Sequence, residues 1–289
     1  MRHPPIENLA TLLVSCPDRR GIVATLAQLL YGLGANILDA DQHTDPEEGQ
    51  FFQRIRFDMS ELDTDRSGLR RTLDEVAGRF DMTWRLSFAS DRKRVAIFVS
   101  KYDHCLYDLL LRHRAGELCC DIPLLISNHP DLKPIAEQFG IAYEVFPITR
   151  DTKRAQENRE LEQLESLEID LVVMARYMQI LSEEFIARLR HRIINIHHSF
   201  LPAFVGSKPY HQAAKRGVKL IGATAHYATS DLDEGPIIEQ DVARCSHRDS
   251  VADLIRKGRD FEKGVLARAV RAHLDDRVWV YGNKTVVFD

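Results

Sequence analysis

Cysteine is scarce in this chain: there are five in 289 residues, none in a C-x-x-C pair, and two of them adjacent at Cys119 and Cys120. That usage supports neither a disulfide framework nor a zinc ribbon, and a reducing, cytoplasmic setting is the expectation. Long apolar runs are missing too. No stretch approaches the roughly 20 residues of a membrane helix, so no membrane partner is expected. Residues Met1-Arg2-His3-Pro4-Pro5 lack the apolar centre of a secretory leader. Charge of one sign is also lacking: 39 Lys and Arg stand against 43 Asp and Glu, a formal balance of −4. Nothing there drives the chain toward nucleic acid, and Arg19-Arg20 and Arg92-Lys93-Arg94 read as solvated surface or linker. Twelve histidines are present without an H-E-x-x-H. His197 and His198, as strand neighbours, are expected to face opposite ways, so no metal is expected. Ser199 lacks a G-x-S-x-G elbow, and Cys105 has no activating partner in its neighbourhood.

What is present is a core: 44% of residues are hydrophobic and 28% charged, in a chain long enough for one large or two medium domains. The first ninety residues read as βαββαβ. An apolar strand runs from Leu9 to Val14 and ends at Cys16-Pro17-Asp18. A helix follows Gly21, with Ile22, Leu26, Leu29, Leu30 and Leu33 on one 3.6-residue stripe and Gly34 as its stop. A strand around Ala35 to Asp41 leads into Phe51 to Met59, where Ile55, Phe57 and Met59 alternate with Arg54, Arg56 and Asp58 as in a half-buried strand. A second helix carries Leu69, Leu73, Val76, Ala77 and Phe80, and a last strand sets Trp84, Leu86 and Phe88 on one face. That order is the ferredoxin-like arrangement. The polar stretch 90–94 then serves as linker between a domain at 1–89 and another at 95–289.

The second region has a different grammar. Val95 to Val99, Leu124 to Ser127, Leu171 to Ala175 and Ile193 to Ile196 are short continuous apolar runs separated by helical patterns, which predicts a mostly parallel, Rossmann-like sheet covered on both faces. Ala155 to Leu167 is a charged amphipathic helix, Ser182 caps another, and Ser250 to about Leu274 closes the chain with one helix or a pair. Leu220 to Tyr227 and Ile237 to Val242 are two late strands flanking a turn that contains Asp233.

Within this region, Asn195 and His197 project from one face of a strand while Ile194 and Ile196 project from the other. An amide that donates a hydrogen bond and an imidazole that moves protons near neutral pH suit acyl-type chemistry, and a carboxylate from Asp231-Leu232-Asp233 would orient the imidazole. Taken alone, Asn-x-His is a weak signal, because a histidine in a strand is more often a satisfied structural residue. Its neighbours add weight. His198-Ser199-Phe200-Leu201-Pro202-Ala203-Phe204 turns sharply after the strand. Val172 to Leu181 ends another strand in apolar, flexible residues suited to a flat heteroaromatic ligand, and His226 to Ile238 supplies the acidic turn.

In this order and spacing, these segments resemble the formyltransferase-fold enzymes that use 10-formyltetrahydrofolate, over about Val95 to the C-terminus. The resemblance implies a catalytic trio of Asn195, His197 and Asp233. It implies a folate pocket at Met174, Arg176, Met178, Gln179, Ile180, Leu181, Thr229 and Asp231, with folate as substrate and no cofactor. Arg176 stands where the nucleotide-using members have a small residue, which would narrow or recharge that pocket. Those members also carry a glycine-rich phosphate cradle after the first strand of the domain, whereas Ser100-Lys101-Tyr102-Asp103-His104-Cys105-Leu106 has no glycine. That segment, Ile126-Ser127-Asn128-His129, the doubled His197-His198 and Lys208-Pro209-Tyr210-His211-Gln212-Ala213 resemble the deformylase branch, in which water receives the formyl group and formate leaves. The alternatives are formyl transfer to an amine and a non-catalytic folate or amino-acid sensor. Whether His197 or Asp233 takes the proton from water stays open at this level.

The N-terminal βαββαβ unit resembles the ACT domain. Asp18, Arg19 and Gly21 lie at the turn after its first strand, and Asn36 and Ile37 open its second. The resemblance implies an amino-acid effector such as glycine or methionine at these residues and a homo-oligomer, dimer or tetramer; a purely oligomerising domain is the other reading. A role in one-carbon metabolism, with formate supplied for purine biosynthesis, is implied as well.

Overall fold

The computed structural model describes residues 5–203 and 209–289. Met1 to Pro4 of the N-terminal stretch, and Phe204 and Lys208 of the motifs above, lie outside the described residues. Two compact units divide the chain. The first holds the chain up to Arg92 together with Asp276–Trp279 and Val286–Asp289, and the second holds Lys93–Asp275 with Val280–Thr285.

The first unit is built from β1 (Leu9–Pro17), α1 (Ile22–Gly32), β2 (Asn36–Asp45), β3 (Gln50–Asp58), α2 (Arg66–Phe80) and β4 (Thr83–Phe88). Its sheet has the order β2-β3-β1-β4, with every neighbouring pair antiparallel. Alternate residues of β1, namely Ala10, Leu12 and Val14, meet the apolar stripes of both helices, where Ile22, Leu26, Leu30, Leu69 and Leu73 are buried. The N-cap of α2 is Asp65, whose carboxylate accepts from the Gly68 amide.

β3 departs from the half-buried pattern expected of it. Phe52, Gln53 and Arg54 are buried along with Ile55 and Phe57, so both faces are covered over much of its length. The reason lies 220 residues away. The Arg54 guanidinium donates through Nε to the Asp276 carbonyl at 3.1 Å and through Nη1 to Asp39 at 3.0 Å. Arg85 donates to the Val278 carbonyl at 3.1 Å. Val278 and Phe288 are themselves buried, and Leu13 of β1, paired with Arg54, shares that covered face.

The second unit runs β5 (Lys93–Val99), α3 (His104–Arg114), β6 (Cys120–Ser127), α4 (Lys133–Phe139), β7 (Ala142–Val145), α5 (Lys153–Ser166), β8 (Leu171–Met174), α6 (Glu183–Arg188), β9 (Ile193–His197), α7 (Pro209–Arg216), β10 (Leu220–Tyr227), β11 (Ile237–Arg244) and α8 (Val251–Leu274). A hairpin of β12 (Val278–Tyr281) and β13 (Lys284–Val287) follows. The sheet order is β11-β10-β9-β8-β5-β6-β7. Strands β5 to β9 pair in parallel, while β10 is antiparallel to both β9 and β11. The sheet is therefore mixed, with its antiparallel part at one edge.

Chain order gives this sheet its function-bearing geometry. From β5 the chain steps to β6 and β7 on one side, then returns to place β8 and β9 on the other. The crevice at such a reversal lies beyond the carboxyl ends of the strands, and side chains from the following loops converge there. The core on one face joins Phe98, Ile126, Val172 and Met174 to Leu161, Leu164 and Phe185. On the other, the long α8 packs against β9, β10 and α3; Ser250 and Asp253 start it with a reciprocal capping box.

Candidate active site

Beyond the ends of β8 and β9 opens a cavity of about 540 Å³, lined by Asn195, His197 and Asp233 together with Met174, Arg176, the stretch Met178 to Leu181, and Thr229. The alternation of β9 aims Asn195 and His197 into it. Asp233 arrives by a different route. β10 ends at Tyr227, and the loop folds back so tightly that a Cβ on Gly235 would lie 1.8 Å from the Tyr227 carbonyl oxygen. Only glycine fits there. The turn puts Asp233 in the left-handed region at φ 60°, which aspartate tolerates better than most residues. Asp231 does not reach the cavity: it is exposed, and its carbonyl accepts from the Thr229 hydroxyl at 3.0 Å, so its part is to shape the turn.

The Asp233 carboxylate Oδ2 lies 3.1 Å from Nδ1 of His197. Burial pulls its pKa up, but the hydrogen bond from His197 and the charge interaction with that ring outweigh it, and the carboxyl is held below its ordinary value. Asp233 is thus a carboxylate at neutral pH. A carboxylate can only accept, so His197 carries its proton on Nδ1 and leaves Nε2 for the cavity. Nε2 of His197 is buried and has no hydrogen-bond partner among the described residues.

Asn195 is oriented from the neighbouring strand. In the antiparallel register His226 lies directly opposite it, with Nε2 of His226 3.3 Å from the Asn195 Nδ2. Nδ1 of His226 faces the Tyr227 carbonyl at 3.0 Å. A carbonyl cannot donate, so that nitrogen carries the proton, and burial lowers the pKa of the ring and keeps it neutral. Its Nε2 therefore accepts one amide hydrogen of Asn195. The second amide hydrogen is available to the cavity, and the amide oxygen is turned away from His226.

Several expectations need correction here. His197 and His198 do not face opposite ways: strand β9 stops at His197, the chain turns, and the two rings lie 5.3 Å apart on the same cavity wall. Burial and the Arg176 charge lower the His198 pKa to about 3, so it is a neutral ring. Arg176 lines the cavity but is turned toward α8. It takes φ 64°, is buried, and sets Nε 3.5 Å from Oε2 of Glu262.

Glu262 was not legible as a site residue from the motifs. It accepts from Nε2 of His104 at 2.8 Å and from the Tyr210 hydroxyl at 2.8 Å. Burial opposes its ionisation, yet the His104 bond and the Arg176 charge lower its pKa to about 2. The available signal was a carboxylate on the buried stripe of α8, between Leu254 and the pair Val265 and Leu266.

Donor atoms of His104, Cys105 and Glu262 lie within 4.8 Å of one another. The set does not fit a metal ion. Burial pushes the Cys105 thiol up, away from the thiolate a metal needs, and the carboxylate is taken up by His104, Tyr210 and Arg176.

In the first unit the structure does not bring the effector residues together. Gly21 caps α1 at φ 92°; beside it, the Asp18 amide donates to the Gly49 carbonyl, and Arg19 pairs with Asp81 at 2.7 Å in solvent. Asn36 pairs across β3 with Asp58, the partner of Leu9. β2 thus runs parallel to β1 in space, and Asn36 and Ile37 sit at the Leu9 end. The nine residues of β1 separate the two groups by roughly 25 Å.

The comparisons with known proteins follow this division. Residues 93–270 match the formyl transferase family, and residues 10–79 match the ACT domain. An ACT module joined to a formyl transferase domain is the class. Over 284 residues the chain is 57% identical to the formyltetrahydrofolate deformylase of Synechocystis sp., covering 98% of this chain and 100% of that one. It is 50% identical to the deformylase of Bacillus subtilis, covering 98% and 95%. The crystal structure of a formyltetrahydrofolate deformylase from Pseudomonas syringae superposes with a TM-score of 0.95 at 48% identity, covering 97% of this chain and 94% of that one. The chain belongs to the formyltetrahydrofolate deformylase family. Among the described residues, no helix is long and apolar enough to cross a membrane.

Proposed function

We propose that the chain hydrolyses 10-formyltetrahydrofolate to tetrahydrofolate and formate at the cavity around Asn195, His197 and Asp233. The observation that carries this reading is the buried, unpartnered Nε2 of His197, backed on Nδ1 by the Asp233 carboxylate. The exposed apolar side chains Met178 and Ile180 and the backbone of 229–233 hold the flat pterin. A water molecule attacks the formyl carbon while His197 Nε2 takes its proton. The free amide hydrogen of Asn195 meets the oxyanion that develops. The imidazolium, stabilised by Asp233, then delivers the proton to the folate N10 as the carbon–nitrogen bond breaks. Formic acid leaves and ionises in solution. No metal or cofactor enters any step.

Formate release from pure protein and 10-formyltetrahydrofolate, with no acceptor present, tests the reading. Release only when an amine is added would favour formyl transfer, and release under neither condition would favour the sensor. Asn195→Ala is expected to lose about 10²–10³ in kcat, the usual cost of one oxyanion donor, and Asp233→Asn to lose at least as much with the fold intact by circular dichroism. Near-normal turnover in either variant would overturn the assignment. The ACT module is proposed to bind glycine or methionine at the Asp18–Gly21 turn of a homo-oligomer. Given the roughly 25 Å between that turn and Asn36–Ile37, the second group would come from another copy. The setting proposed is cytoplasmic one-carbon metabolism feeding purine biosynthesis.

A further inference from the structure

One wall of the cavity holds a buried polar cluster for which the hydrolytic steps have no use. Arg176 follows β8, His104 opens α3, Tyr210 lies in α7 and Glu262 sits midway along α8, and all of them line the same cavity as His197. Two features set the cluster apart from ordinary core. Its ion pair is imperfect: Nε of Arg176 stands 3.5 Å from Glu262 and makes no hydrogen bond. A buried pair of that quality gains little over an apolar filling of the same volume. Arg176 also occupies a left-handed backbone position, at φ 64°, where glycine would be unstrained. Neither the pair nor the residue type is what stability alone would select.

The cluster is held with care and stands close to the reacting centre. A Cβ on Gly258 would lie 1.9 Å from the Tyr210 hydroxyl. The glycine thus lets the tyrosine lie against α8 and reach Glu262. The Arg176 guanidinium also lies 5.0 Å over the Tyr102 ring, a second contact besides Glu262. Tyr210 is 5.9 Å from the His198 ring, which is 5.3 Å from His197. Met174, two residues before Arg176, pairs directly with Asn195. The cluster therefore forms part of the cavity wall next to Asn195 and His197.

Resting on the hydrolytic reading, we infer that Arg176, set beside the Glu262 that His104 and Tyr210 hold, fixes the acceptor as water by filling the space that an amine would need. An amine must bring its nitrogen to within about 3–3.5 Å of the formyl carbon with its own carbon chain behind it. Water needs no volume behind its oxygen. If the space were opened, the amine nitrogen would bond to the formyl carbon and give its proton to His197. The carbon–N10 bond would then break and that proton would pass to N10, with a formamide as product in place of formate.

The test supplies wild type and Arg176→Gly with 10-formyltetrahydrofolate and glycinamide, a small primary amine, at about pH 8 where much of its α-amino group is unprotonated, and measures formate and N-formylglycinamide by mass spectrometry. Wild type is expected to give formate almost alone. Arg176→Gly, whose backbone suits the substitution, is expected to raise the ratio of formamide to formate at least tenfold. An unchanged ratio in a variant that still turns over would overturn the inference. Should Arg176→Gly fail to fold, Arg176→Lys serves: it keeps the charge and gives up the fork and the Tyr102 stack. A rise of about threefold is expected, and a flat ratio overturns the inference. Wild type that releases no formate at all would instead strike the hydrolytic reading beneath it.

Discussion

At the residue scale, the site depends on which proton each nitrogen carries. Asp233 settles His197 and the Tyr227 carbonyl settles His226, because neither oxygen can donate. Asn195 is then oriented by His226, whose Nε2 is taken up by the Asn195 amide, so His226 is assigned a positioning role. His226→Phe removes the acceptor and frees the amide to rotate. kcat is expected to fall by ten- to a hundredfold with KM little changed, and His226→Gln, which keeps an acceptor oxygen, is expected to recover part of the loss. A fall in KM and kcat together, with no recovery by glutamine, would mean that the effect is structural. That Asn195, His197 and Asp233 meet at one cavity was legible from residue type and spacing together with the family resemblance. Arg176 was legible only as a single residue, and Glu262 was not legible at all: nothing in a sequence says that a helix at 251–274 sets its Glu262 beside the loop after β8.

At the element scale, helix α5 carries a buried acid beneath the loop that follows β8. Glu160 accepts from the Tyr177 hydroxyl at 3.2 Å, and its second oxygen has no partner. Burial raises its pKa from 4.5 to about 8. A carboxyl whose folded value is raised costs nothing at pH below its unfolded value; the cost grows as pH rises toward the folded value. Stability should therefore decline between about pH 4.5 and 8 through this group, by on the order of a few kcal/mol at 1.36 kcal/mol per pKa unit. Glu160→Gln removes that cost. Thermal melts should show the variant more stable than wild type at pH 8, with the gap closing toward pH 5; a gap independent of pH would contradict the account. The helices and strands were largely legible in the sequence, since apolar periodicity and caps such as Ser182 and Ser250 are local. The length of β1, which continues through Pro17, and the double burial of β3 were not, because pairing and cover come from elsewhere in the chain.

At the scale of the whole molecule, the last residues of the chain contribute to the interior of the first unit. Phe288 and Val278 are buried, and Arg54 and Arg85 bond to backbone carbonyls at 276 and 278. Phe288→Ala is expected to destabilise by about 3 kcal/mol, the low end for a buried phenylalanine, read as a lower midpoint in urea. No loss would mean that the tail is dispensable to that unit. The sequence by itself determined the two grammars of the chain, the alternation that aims Asn195 and His197 the same way, and the absence of glycine in 100–106. These follow from period, spacing and residue chemistry, which are local quantities. Tertiary structure alone decided that His198 joins His197 on one wall, that Arg176 meets Glu262, that Asn36 stands far from Asp18, and that the tail covers β3. Each of these joins residues far apart in the chain, or turns on where a strand ends, and such relations are fixed by strand order, register and packing rather than by any local pattern.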